Sequence, residues 1–506
     1  MTSDKAALAS TKGGPMPLLE HSRPSTSATT GTSRRSSSVG WMFVPALVFM
    51  LEFVAFVRID PNMRAWALPI GIWIALMGFA VARIRERATL LILLSTFAFF
   101  LLGKPMMMGY FDYDGLQWND KMEHHLVLSL SLGLLTIFVG YLLYPRRAAQ
   151  RRTAVMAARR GSARVRAFRR RLSTVALWSY LITYPFYIYH LLTNIRTASE
   201  MGYTGLYVSG QSGFASITAY GSFANSVALC VFLATFPSKF LTWLVLLLSL
   251  ASQGLMMLTG DRGDFGTFLM MVFAYLFFRA RHPTTAVMSV KALVVTLVAS
   301  VIAIVPLFLS VGIDRMDTTA AADESRIVDF LYGQGSSINV IEYAVVFERF
   351  LPEGPYLLNF TGQGFFRLLL GGDGGLAGNT VDYALSGTSL SHSLSYVALG
   401  DAYLRGHGVG SSFLAEGYVD LGYWGITLVG LAYGLLVAWT DRFAPGHDMA
   451  NSLRLLIIPA IAFAPRGSAT AFISDLTSPL TMGVLLTIWL VAFLARRPTR
   501  QQYTAR

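Results

Sequence analysis

His125-Leu-Val-Leu-Ser-Leu-Ser-Leu-Gly-Leu-Leu-Thr-Ile-Phe-Val-Gly-Tyr-Leu-Leu-Tyr144 carries no Asp, Glu, Lys or Arg, and residues 146–171 directly after it hold eleven arginines and no acid. An apolar run of about 20 residues, rising 1.5 Å each, crosses a hydrocarbon core of roughly 30 Å. A dense run of arginine resists translocation and stays on the cytoplasmic side. This one stretch therefore sets both the class of the chain, a membrane-spanning helical protein, and its expected orientation.

Working outward, the pattern repeats. Apolar runs predict spans near 42–57, 65–82, 88–103, 125–144, 172–193, 214–236, 240–258, 265–278, 290–312, 413–439, 455–473 and 476–494. Over 506 residues, 54% are hydrophobic and 14% charged, whereas soluble chains carry about a quarter charged residues. Ten-residue alternation of the kind that marks a membrane barrel is absent. The expected fold is all-α, a polytopic bundle of about twelve transmembrane helices over residues 41–496.

Residues 1–40 are rich in Ser, Thr and Gly without an apolar face, and predict a disordered cytoplasmic tail. Lys5, Lys12, Arg23, Arg34 and Arg35 precede the span that starts at Trp41, so no cleaved signal is needed. Alternating loops from the basic segment at 145–171 puts Arg83, Arg279, Arg442 and the tail at 497–506 inside. A turn around Ser474 and the segments 104–124, 194–213, 259–264 and 313–412 fall outside. The last of these holds eleven acids against five arginines, in agreement with that side. In a soluble chain the basic run would suggest nucleic acid; here the positive-inside bias and anionic lipid account for it without such a partner.

A loop of about 100 residues is too long for a connector. Residues 338–350 have the pattern of an amphipathic helix lying on the membrane surface, and 368–395 carry turn signals at Gly371-Gly372 and Gly374-Gly375. Cys230, the single cysteine, permits no intramolecular disulfide, so packing must hold this loop. No internal repeat is found, which argues against an inverted-repeat transporter.

Four constellations carry chemistry. In Thr259-Gly-Asp-Arg-Gly-Asp264, Arg262 reaches the outer surface; it either snorkels to water or, with glycines on both sides of the Asp-Arg pair, approaches a ligand closely. Beyond Lys291 the chain has no lysine, and the outer cations are Arg315, Arg326, Arg349, Arg367 and Arg405, with Arg466 near the outer end of a span. Guanidinium forks match phosphate oxygens in pairs, so a lipid diphosphate is the natural target, with ion pairing to the acids as the plainer role. Arg466 interrupts an apolar run and needs a polar cavity. His392, in Ser391-His-Ser-Leu-Ser-Tyr396, is either a hydrogen-bonded loop residue or a base for a sugar hydroxyl that works without a metal. Glu416 and Asp420 share a helical face with Ser412 and should face a cavity, holding arginines in place or touching a sugar. Gly417, Gly422 and Gly425 would admit a neighbouring helix.

In order and spacing, three stretches resemble the O-antigen polysaccharide polymerases of the Wzy type. These are 258–265 with its Gly-Asp-Arg-Gly core, Phe330-Leu-Tyr-Gly-Gln-Gly-Ser-Ser-Ile-Asn-Val-Ile341, and 391–434 with Gly406-His-Gly-Val-Gly-Ser-Ser412 and Glu416-Gly-Tyr-Val-Asp-Leu-Gly-Tyr-Trp-Gly425. The likeness covers the C-terminal half; the N-terminal half matches only as a set of spans. It implies a membrane-embedded glycosyltransferase of the GT-C type, without metal or other cofactor, that joins undecaprenyl-diphosphate-linked oligosaccharide repeat units on the outer face of the bacterial inner membrane. On that resemblance Arg262, Arg326, Arg466 and Arg367 would bind diphosphate, and Arg262 and His392 would be catalytic, His392 as general base. Glu416, Asp420, Gln334 and Tyr396 would bind or orient sugar. A chain-length regulator and a flippase would be partners. Asp112-Tyr-Asp114 resembles the metal-holding acidic pair of other lipid-dependent glycosyltransferases, a pattern short enough to arise by chance. An O-antigen ligase or a lipid-linked oligosaccharide flippase would share the bundle. The ligase fits the quoted segments less well, and a flippase would want its cations midway along the spans.

Overall fold

The computed structural model describes residues 61–110, 118–145, 163–208, 214–281, 284–312, 323–362, 366, 369 and 378–495. The N-terminal tail, the span at 42–57, most of the basic loop, Asp112, Asp114, Arg315, Arg367 and the paired glycines of 371–375 lie outside the described residues.

Among the described residues all regular structure is helical. The elements are α1 (Ala67–Val81), α2 (Ala88–Phe97, a π-turn Ala98–Leu102, then Gly103–Tyr110), α3 (Asp120–Leu143), α4 (Ala163–Val208), α5 (Phe214–Ala234), α6 (Lys239–Met256), α7 (Gly263–Arg279), α8 (Val290–Gly312), α9 (Asp323–Gly335), α10 (Ile338–Val346), α11 (Val381–Leu385), α12 (Leu390–Leu399), α13 (Asp401–Leu404), α14 (Phe413–Thr440), α15 (Asp448–Phe463), α16 (Ala471–Thr477) and α17 (Pro479–Leu494).

Among the described residues six stretches are long and apolar enough to cross a membrane: Arg64–Val81, Ala88–Gly109, Asp120–Leu143, Ile217–Ala234, Lys239–Thr259 and Phe413–Thr440. The pair α16 and α17, bent by 50°, reaches that length only when the two are taken together, as a broken span or a re-entrant loop. Others of the twelve expected spans fall on shorter helices, α7 and α15, or on α4, which is long but rich in Tyr, Ser and Thr. The span expected at 455–473 is broken. Helix α15 stops at Phe463 and a tight 3-10 turn, Ala464–Arg466, follows with proline in its first positions. Pro465 has no N–H to continue the ladder, and this local chemistry overrides the hydropathy of the run.

Lipid tails are as apolar as leucine, so helices here associate by close packing rather than by leaving water. The α3–α14 pair shows how. A Cβ on Gly434 would meet the Ile137 carbonyl oxygen at 2.1 Å, one on Gly430 the Thr136 hydroxyl at 2.0 Å, and one on Gly140 the Leu431 carbonyl oxygen at 2.2 Å. Glycine is required where two backbones come this near. The glycines expected to admit a neighbouring helix do something else: Gly417 and Gly425 face each other inside α14, which breaks between them at Leu421 and Gly422 (φ 59°).

Among the described residues two apolar cores result. One gathers Leu93, Phe97, Leu130, Ile341, Phe413 and Ile461; the other gathers Ile92, Tyr180, Val231, Tyr275, Ile458 and Ile488. Helices α2 and α15 contribute to both and form the wall between them. Helix α10, expected to lie on the membrane surface, instead buries Ile338, Val340, Ile341 and Ala344 in the first core. Its apolar face is turned to protein.

Candidate functional site

Helix α6 ends in a 3-10 turn, Met257–Thr259, closed by Gly260 at φ 85°, a left-handed conformation that suits glycine. The Asp261 N–H donates to the Thr259 hydroxyl at 3.2 Å, and the Gly263 N–H donates to the Asp261 carboxylate at 3.0 Å. These bonds fix the turn and leave Arg262 at the mouth of α7, its guanidinium 5.8 Å from the centre of the Phe330 ring. Gly263 meets Phe463 across the turn, where a Cβ would sit 3.6 Å from the ring.

Arg466 arrives from the other side. Its guanidinium lies 5.7 Å from the centre of the Phe100 ring and donates to the Gln334 side-chain oxygen at 3.4 Å. Phe330 and Gln334 are four residues apart on α9 and share one face. Two arginines far apart in sequence thus meet adjacent positions of one helix. Beneath them the rings of Phe330, Phe99, Phe100 and Phe463 follow one another at centroid distances of 6.1, 5.1 and 5.9 Å. Phe99 and Phe100 sit in the π-turn of α2, a distortion common at functional sites.

Glu416 is fully buried and contacts backbone and hydroxyls. It accepts from the Ser411 hydroxyl at 2.8 Å, the Ser468 hydroxyl at 3.0 Å and the Ala469 N–H at 2.8 Å. It therefore ties the chain just after Arg466 to the start of α14. Asp420 accepts from the N–H groups of Tyr356 at 3.0 Å and Leu357 at 2.8 Å, pinning a 3-10 turn of the long segment to α14.

His392 occupies a slot of tyrosines. Its ring stacks on Tyr383 at 3.7 Å, and its Nδ1 lies 2.8 Å from the Tyr403 hydroxyl. Burial holds its pKa down, from 6.5 to about 4, so the ring is neutral near pH 7. Tyr396 lies 5.8 Å from Tyr403, ring to ring. Helix α12 is joined to the arginines through the Ser395 hydroxyl, which accepts from the Val409 N–H at 3.0 Å; the chain then runs through Ser411 to Glu416.

Beside the turns that carry Arg262 and Arg466 lies a cavity of about 410 Å³ lined by Asp261, Asp264, Phe463, Gly467, Ser468 and Asp475. Its wall alternates carboxylates with apolar surface, and the residues next to Arg262 and Arg466 in sequence belong to it. Among the described residues no group of three or more His, Cys, Asp and Glu is placed to hold a metal ion.

The structure thus brings Arg262 and Arg466 to Phe330 and Gln334 of α9, with Glu416 holding the chain just after Arg466, while His392 and Tyr396 lie on α12, which packs against α10. Arg326 lies on α9, with its side chain outside the described part. Arg349 and Arg405 are exposed. Sequence reasoning missed Lys104, which was assigned to an outer loop. It lies within α2 with 1% of its surface exposed, donates to the Asn339 side chain at 3.0 Å and sits 4.5 Å from the Trp118 ring centre. A lysine directly after an apolar run reads as a boundary, and only its partners on α10 show otherwise.

Residues 41–497 match the family model described as O-antigen polysaccharide polymerase Wzy. No curated protein and no solved structure matches the chain.

Proposed function

The chain belongs to the O-antigen polysaccharide polymerase family of the Wzy type, multi-pass inner-membrane proteins that polymerise lipid-linked oligosaccharide repeat units, and on that premise we propose a site and a mechanism. The donor is a growing glycan on undecaprenyl diphosphate and the acceptor an incoming repeat unit on the same lipid. Transfer takes place on the outer face of the membrane, both termini are cytoplasmic, and the product is O-antigen, capsule or exopolysaccharide. The segment at 313–412 forms the outer part of the enzyme.

The meeting of Arg262 and Arg466 on α9 is the observation that carries this reading. An acceptor hydroxyl oxygen forms a bond to the anomeric carbon of the donor as the bond from that carbon to the diphosphate oxygen breaks. The electron pair leaves with the diphosphate. Charge gathers there in the transition state, and guanidinium groups already held in place stabilise it without reorganising. Phe330 and Phe100 pack against the two guanidinium groups, whose planar forks match phosphate oxygens in pairs. Arg326 and Arg367 add further cations for the diphosphate.

His392 takes the proton of the acceptor hydroxyl, so no metal is required. The neighbouring cavity, with Asp261, Asp264 and Asp475 facing it, suits the hydroxyls of the sugar next to the bond being made. Tyr396 offers a ring for that sugar to lie against, Gln334 steers Arg466, and Glu416 and Asp420 hold the backbone around the site.

The test is to incubate purified protein with an undecaprenyl-diphosphate repeat unit, with and without a chelator, and to resolve the products on a gel. A ladder that persists with chelator and is lost in Arg262→Ala and Arg466→Ala is expected. Transfer of the glycan to lipid A core, or movement of the lipid across vesicles without a ladder, would point to a ligase or a flippase and refute the proposal.

A further inference from the structure

We propose that Tyr403 is a positioning residue that fixes the tautomer and orientation of His392, a role that deepens the reading of His392 as base and rests on it. The Tyr403 hydroxyl lies 3.3 Å from the Thr380 carbonyl oxygen, to which it donates, and 2.8 Å from His392 Nδ1. A hydroxyl has one proton. Spent on Thr380, it leaves the oxygen only as an acceptor toward His392, so the imidazole must carry its proton on Nδ1. Nε2 then bears the lone pair, and among the described residues it has no hydrogen-bond partner.

The surroundings hold this arrangement. Tyr403 is 1% exposed, and Asn379 donates to its carbonyl oxygen at 2.8 Å and to that of His407 at 3.1 Å, closing the turn on which Tyr403 stands. Tyr383 stacks flat against the imidazole, 18° from parallel, and leaves the ring one plane in which to lie. Burial also pushes the Tyr403 phenol up to about 12, so it stays protonated and able to donate to Thr380. The order Thr380 carbonyl, Tyr403 hydroxyl, His392 Nδ1–H is a relay that leaves Nε2 as the basic nitrogen, the same logic by which a neighbouring group sets the working nitrogen of a histidine.

The test pairs a spectroscopic readout with turnover. Ring-nitrogen NMR on histidine-labelled protein in lipid nanodiscs, with His392→Ala to assign the signal, should show the Nδ1–H form in the wild type. Tyr403→Phe should admit the Nε2–H form and lower kcat roughly 10- to 100-fold, a part of what a general base contributes, with KM unchanged. A wild-type ring protonated on Nε2, or a Tyr403→Phe protein with unaltered tautomer and turnover, overturns the proposal. Full turnover in His392→Ala overturns instead the reading of His392 as base, whatever the tautomer.

Discussion

Replacing Glu416 with alanine removes the acceptor of three donors at once, and the three do not recover equally. The Ser411 and Ser468 hydroxyls can rotate their protons to other acceptors, and the Ser468 oxygen keeps its donors, Asn359 Nδ2 at 3.3 Å and the Thr470 N–H at 3.4 Å. The Ala469 N–H, 2.8 Å from the carboxylate, is fixed by its backbone and is left orphaned. An unsatisfied buried donor costs about 1–3 kcal/mol and the vacated side-chain volume about 1–2 kcal/mol more, so Glu416→Ala should lose about 3–4 kcal/mol of stability. Glutamine behaves differently. Its amide oxygen can accept from Ser468 and Ala469 while its NH2 donates to Ser411, whose hydroxyl reverses role. All three bonds survive in weaker, neutral form, at a cost of about 1 kcal/mol. Thermal unfolding of the detergent-solubilised protein should therefore rank wild type, then Gln, with Ala well below. Ladder synthesis should follow the same order, because the Arg466 turn loosens with Ala469. A glutamine variant as unstable as alanine, or an alanine variant as stable as wild type, would refute this account of Glu416 as a backbone anchor.

Gly434→Ala should destabilise by more than about 2 kcal/mol, because its Cβ would fall 2.1 Å from the Ile137 oxygen on a neighbouring backbone that cannot step aside; melting temperature is the check. Asp420→Ala releases the N–H groups of Tyr356 and Leu357, so limited proteolysis should cut faster near 350–360 than in wild type; an unchanged rate would mean the turn is held elsewhere. For His392, whose pKa falls from 6.5 to about 4 on folding, the unfolded chain takes up the proton first as pH drops. Its contribution to stability is thus complete above pH 6.5 and is lost as pH falls toward 4. Comparing unfolding of wild type and His392→Gln between pH 7 and 4 should show the shallower decline in the variant, and parallel curves would contradict it.

Much of the membrane framework was legible because lipid leaves few options: long apolar runs must be helices, and their order in the chain reads directly. Arg466 stood out for the same reason, as a charge in an expensive place, and Arg262 for the glycines on either side of its Asp-Arg pair. The break at Ala464–Arg466 did not, since the hydropathy of 455–473 outweighed one proline. Phe330 and Gln334 lay within a quoted motif, but their role depends on two segments that meet them only in the folded chain. Glu416 and Asp420 were expected to face arginines or sugar, and instead serve main-chain N–H groups, which no side-chain pattern reveals. Tyr403 belonged to no motif; its meaning comes from three atoms in line.

The π-turn at Ala98–Leu102 changes how α2 can be read as a single rod. Each residue advances a helix by about 100°, so one extra residue in a turn puts everything after it out of phase with everything before. Up to Phe97 the helix keeps the phase that serves the two apolar cores. From Gly103 it follows a second phase, in which the Gly103 backbone lies against Gly335 and the Lys104 ammonium finds Asn339. One continuous segment thereby answers to two clients, the apolar cores on one side and helices α9 and α10 on the other, and the dislocation between them falls where Phe99 and Phe100 pass under the arginines.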